Sequence, residues 1–167
     1  NEAERLRNSG QVEKAEIICR QLVQAFPNSH AAHSAVGVVL EQQDNQIAAL
    51  EYFKNAANLA PKDTGCWLRL GQCLSMQQYK DAALIAFQNA LKISPKDFHA
   101  LTLMGTTLQS LERHEEALEL FSKARKLHPK NAQSFFKEGQ QYQTLGDFAK
   151  AREFFERAIK INPNQYP

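Results

Sequence analysis

Pro27, Pro61, Pro95, Pro129 and Pro163 stand at a constant spacing of 34 residues. A period of that length means that one supersecondary unit is built several times, each copy burying its apolar face against the next. The same register holds Ala15, Ala49, Ala83, Ala117 and Ala151, then Gly37, Gly71, Gly105 and Gly139, then Phe53, Phe87, Phe121 and Phe155. Inside a unit the apolar residues recur at helical spacing, as in Trp67, Leu70, Gly71 and Leu74 followed by Ala83, Leu84, Phe87, Ala90 and Leu91. Two amphipathic helices per unit follow. With 7 Gly and 6 Pro in 167 residues, the chain has too little turn material for an all-β fold.

The unit also encodes its own punctuation. Each second helix stops near its proline, which lacks an amide hydrogen and disfavours helical geometry in the residue before it. Two residues later stands a helix-capping side chain, Ser29, Asp63, Asp97 or Asn131. Gly10 and Gly146 mark turns inside units. The pattern predicts helices over about Glu2 to Ser9 and Gln11 to Ala25, His30 to Gln42 and Gln46 to Leu59, and Thr64 to Gln77 and Lys80 to Ile93. The last pairs are Phe98 to Leu111 with Glu115 to His128, and Ala132 to Thr144 with Phe148 to Ile161. Gly71 is expected opposite Ala83, letting two backbones approach, with Trp67, Leu74 and Phe87 filling the space around them.

These residues resemble a tetratricopeptide repeat array. The signature reads Trp67, Leu70, Gly71, Leu74, Ala83, Phe87, Ala90, Pro95 in the third unit and Leu101, Met104, Gly105, Leu108, Ala117, Phe121, Ala124, Pro129 in the fourth. In the fifth it reads Phe135, Glu138, Gly139, Tyr142, Ala151, Phe155, Ala158, Pro163, with Glu138 where Leu is usual. The resemblance implies an all-α, right-handed superhelical solenoid of antiparallel helix pairs. It would form a single array over residues 1–167, with a partial unit at 1–29 and full units at 30–63, 64–97, 98–131 and 132–165. First helices would line a concave groove suited to an extended peptide or a partner domain. The carboxylate clamp of chaperone-binding arrays is missing, since its positions hold Ser34, Val38, Arg69, His99 and Leu103. The asparagine ladder of sugar-transferase arrays is missing too.

One stripe of each first helix supplies the groove: Ser34 and Val38; Leu68, Arg69, Gln72 and Met76; Thr102, Thr106 and Gln109; Phe136, Lys137 and Gln140. The stripe is mostly neutral and polar, with apolar points at Val38, Leu68, Met76, Leu103 and Phe136. It suits a peptide held by amide and hydroxyl hydrogen bonds, with Arg69 and Lys137 each able to take a carboxylate.

Other classes find little support. A formal net charge of +2 gives no electrostatic motive for nucleic-acid binding. The basic run from Lys123 to Lys130 closes a helix that opens on Glu115 and Glu116, the order the helix dipole favours. No apolar run is long enough for a membrane span. No phosphate-cradling glycine loop, HExxH or nucleophile elbow is present, so no catalysis and no cofactor are expected. Cys19, Cys66 and Cys73 read as packing thiols of a reducing, cytoplasmic setting, without enough converging ligands for a metal. His30 and His33, three apart, read as surface or packing residues.

The first residue is Asn1 and no helix follows Pro163. The expectation is a fragment of a longer protein, whose last helix would otherwise pair with a second copy through Phe155, Ile159 and Ile161. The functional expectation is a noncatalytic scaffold for a protein or peptide partner. The alternative is the accessory region of a larger enzyme, such as a transferase.

Overall fold

A computed structural model describes residues 2–164, and the described residues contain ten helices and no strand. The helices are α1 (Glu2–Asn8), α2 (Val12–Ala25), α3 (His30–Gln42), α4 (Gln46–Leu59), α5 (Thr64–Met76), α6 (Lys80–Ile93), α7 (Phe98–Ser110), α8 (His114–Leu127), α9 (Ala132–Thr144) and α10 (Phe148–Ile161). Every predicted helix is present with its ends within a residue or so of the sequence estimate. The fold class is all-α, built as solenoid helix pairs.

Local chemistry sets the boundaries. The side chains of Ser29, Asp63, Asp97 and Asn131 accept from the backbone N–H of Ala32, Gly65, Ala100 and Gln133, starting α3, α5, α7 and α9. Asn45 and Asp147 cap α4 and α10 in the same way, through Ala48 and Lys150. At the other end, the residue before each proline leaves the helical region, with ψ of 69° at Phe26, 68° at Ala60 and 68° at His128.

The turn inside each unit needs one left-handed residue. Gly10 and Gly146 adopt φ of +80° and +81° at no steric cost. The three intervening units place Asp44, Gln78 and Glu112 there, at φ of +59°, +66° and +60°. The turn geometry is therefore imposed by the flanking helices even where no glycine supports it.

The chain divides into two compact units, Asn1–Ile93 and Ser94–Pro167. In the first, α1 packs on α2, α3 on α4 and α5 on α6, with α2 against α3, α4 against α5, and α3 touching α5. In the second, α7 packs on α8, α8 on α9 and α9 on α10. Each core is threaded by small residues, Ala49, Ala56 and Ala83 in one and Ala117, Ala124 and Ala158 in the other, all fully buried.

Within each pair a glycine makes room for a ring. A Cβ placed on Gly71 would lie 2.5 Å from Cε1 of Phe87, so the ring occupies the space the glycine leaves. The arrangement repeats as Gly37 under Phe53, Gly105 under Phe121 and Gly139 under Phe155. Phe53, Phe87 and Phe121 are at most 1% exposed, each contributing about 1.5–3 kcal/mol of burial. Trp67 is only half-buried, and its indole N–H donates to the Pro61 carbonyl at 3.0 Å.

Candidate functional site

In the first unit, α1, α3 and α5 line an open cavity of about 400 Å³. Residues spaced three and four apart on a helix share a face, so α3 presents Ala31, Ser34 and Val38 while α5 presents Gly65 and Arg69. Three of the expected groove residues, Ser34, Val38 and Arg69, thus line one space. Leu68 and Gln72 are half-buried elsewhere on α5, and Met76 is 61% exposed at its end. Arg69 is exposed, and its charge acts on the half-buried Glu41 of α3. Burial nevertheless dominates there and pushes the Glu41 carboxyl above its usual range.

At one end of this cavity lies a cluster that contradicts the expectation of no converging ligands. Asp63 Oδ1 accepts from Gly65 N at 2.7 Å as the cap of α5, which leaves Oδ2 3.5 Å from His30 Nε2. Cys66, in the first turn of α5, is 5% exposed. One ligand atom from each of His30, Asp63 and Cys66 lies within 4.8 Å of the other two. Burial first, then the Asp63 charge, pushes the Cys66 thiol up to about 11. His33 takes no part. Its Nε2 sits 2.9 Å from the Pro27 carbonyl, and its ring packs 5.8 Å from Tyr52, the role Trp67 fills one period later.

In the second unit the expected hydroxyl donors are already committed. Thr102 is 6% exposed, and its hydroxyl donates to the carbonyls of Phe98 and His99 within its own helix. The Thr106 hydroxyl donates to Thr102 O at 2.9 Å. Thr102 is therefore a helix-facing residue, because a threonine in a helix reaches back to the preceding turn. Gln109 is half-buried on α7. On α9, Phe136, Lys137 and Gln140 are half-buried, with the Phe136 ring 5.4 Å from that of Phe155. Burial pushes the Lys137 amine below its usual value, a state that a nearby anion would relieve.

Sequence reasoning missed one polar feature of α9. Glu138, 1% exposed, receives Arg125 Nε of α8 at 2.6 Å, and the Arg125 guanidinium lies 5.7 Å and 5.5 Å from the ring centres of Phe135 and Phe154. The departure from Leu at this position is thus matched by an arginine 13 residues earlier. Gln141 is fully buried, and neither polar atom of its amide has a partner among the described residues. On α10, Ile159 and Ile161 are 41% and 38% exposed.

Two family models described as tetratricopeptide repeat match residues 64–97 and 97–164, together more than half of the chain. The chain belongs to the tetratricopeptide repeat family. No curated protein matches the sequence. Among solved structures, this TPR chain is similar to the crystal structure of MamA, at 21% identity with a TM-score of 0.88, covering 99% of this chain and 96% of that one. YrrB, described as a TPR protein with an unusual peptide-binding site, aligns at 23% identity and a TM-score of 0.79, covering 97% and 84%. PilF of Pseudomonas aeruginosa aligns at 17% and 0.85, covering 96% and 73%. These likenesses show a shared TPR fold. No described helix is long and apolar enough to cross a membrane.

Proposed function

We propose that this TPR chain is a noncatalytic interaction module that holds an extended protein segment against its first helices. The observation supporting this reading is the cavity between α1, α3 and α5, where an apolar wall at Val38 adjoins a hydroxyl at Ser34 and a cation at Arg69. Such a site takes one apolar side chain, one backbone hydrogen bond and one carboxylate from a peptide, the combination by which an extended segment is recognised. The peptide-binding site ascribed to YrrB supports the reading by analogy of fold. Leu68, Gln72 and Met76 would extend the contact along α5. In the second unit, Phe136, Lys137 and Gln140 of α9 are assigned the corresponding contacts, with Gln109 of α7 and the Thr106 hydroxyl oxygen as an acceptor.

Selection from a library of short random peptides tests this directly. The protein should enrich peptides carrying an acidic group beside an apolar residue. Binding should fall at least about tenfold, or about 1.4 kcal/mol, in a V38D/R69E variant that keeps its helical circular dichroism. Equal binding by the variant, or no enrichment at all, refutes the assignment.

A further inference from the structure

We propose that His30 Nε2, Asp63 Oδ2 and Cys66 Sγ form a binding site for a borderline-soft divalent transition ion, Zn²⁺ foremost, with a fourth position open to the cavity. Mixed nitrogen, carboxylate and thiolate donors are the set Zn²⁺ prefers, whereas Mg²⁺ and Ca²⁺ require oxygen alone. Tetrahedral coordination at normal Zn–ligand lengths places donor atoms about 3.3–3.8 Å apart. The His30–Asp63 separation is already 3.5 Å, and all three donors lie within 4.8 Å of one another. His30 and Asp63 side chains are 44% and 43% exposed, so small rotations bring them onto a common ion above the buried sulfur.

The cluster is more than a surface ion pair. Asp63 is explained by capping alone, because Ser29, Asp97 and Asn131 hold the same register. His30 and Cys66 are not. Their register mates are Thr64, Phe98 and Ala132 for the first, and Ala32, Ala100 and Ser134 for the second, so the repeat requires neither an imidazole nor a thiol. Both donors occur in the one place where they meet. The Gly65 N–H holds Asp63 Oδ1 and orients the carboxylate, as an outer-shell partner does in metal sites. On binding, the S–H bond of Cys66 breaks, a sulfur–metal bond forms and the proton leaves to solvent. A dication between one thiolate and one carboxylate is then electroneutral, which suits a position at the edge of a core. All three side chains line the cavity, giving the ion an entry path and the fourth position a solvent or ligand oxygen. The donor set stands without the peptide-binding reading, although the ion and the proposed peptide share one cavity.

Titration of the reduced, tag-free chain with Co²⁺ tests the site. One equivalent should produce a thiolate-to-cobalt charge-transfer band in the near ultraviolet, with the strong visible bands of tetrahedral Co²⁺, and Zn²⁺ should displace both. C66A should abolish the charge-transfer band while C19A keeps it. H30Q and D63N, whose amide still caps α5, should each lower the affinity at least about tenfold. Absence of the band at millimolar Co²⁺, or its persistence in C66A, overturns the site. If C66A loses its helical circular dichroism, the half-exposed positions decide: unchanged affinity in both H30Q and D63N overturns the proposal, and weakened binding in both upholds it.

Discussion

Replacing Gly71 by alanine sets two effects of opposite sign against each other. In a helix interior alanine is favoured over glycine by about 1 kcal/mol. Against this, the new Cβ would stand 2.5, 2.7 and 2.9 Å from three ring atoms of Phe87, which is 1% exposed and has no free space to retreat into. Overpacking of a buried site costs about 1–3 kcal/mol, and contacts this short to a rigid ring belong at the upper end. The net loss for G71A is therefore about 2 kcal/mol, or a fall in melting temperature of about 4–8 °C for a chain of this size. Thermal and guanidinium unfolding followed by circular dichroism measure it. In an F87L background the ring atoms responsible are gone, so the same Gly→Ala change should turn neutral or stabilising by up to about 1 kcal/mol. G139A should be the mildest of the four glycine variants. Phe155 is only half-buried and its ring can yield toward solvent. A G71A protein as stable as the parent, or one whose deficit is unchanged by F87L, refutes the Gly–Phe contact as the origin of the close helix approach.

Three further outcomes follow from buried polar and strained positions. Q141L should stabilise the protein by about 1–3 kcal/mol in chemical denaturation, since it removes an unpartnered amide from a fully buried position. Gln78→Gly should add up to about 1 kcal/mol to thermal stability by relieving a left-handed residue at φ +66°. R125A should cost about 3 kcal/mol, because Glu138 stays buried without its partner, while the apolar pair R125M/E138L should restore near-parental stability. Burial outweighs Arg125 and raises the Glu138 carboxyl above its ordinary value of 4.5. The folded state thus holds the proton more tightly than the unfolded chain. The stability from this group is complete below about 4.5 and is lost as pH rises through the native value. Unfolding between about pH 4 and pH 7 should accordingly move in favour of E138Q over the parent as pH increases.

Helix positions, their caps at Ser29, Asp63, Asp97 and Asn131, and the stops before each proline were legible in the sequence. They depend on residues within one turn of each other and on φ restrictions that act locally. The period itself announced stacking. Contacts made across helices needed the tertiary structure, because they depend on how far one helix slides and turns against its neighbour. The Phe87 ring lies against Gly71, closer than any other group. Arg125 finds Glu138 across α8 and α9, and Gln141 is enclosed although nothing in its own helix distinguishes it from a solvated glutamine. The His30, Asp63 and Cys66 cluster shows the boundary most clearly. His30 and Asp63 are 33 residues apart, nearly one period, and stacking sets the starts of α3 and α5 side by side. A search for ligands within a single helix passes over such a set, whereas the period marks where to look. Sequence alone determined which helices form and where they begin and end. Only packing decided which side chains face one another, because a helix fixes the direction of a side chain about its own axis and its neighbours fix what that direction meets.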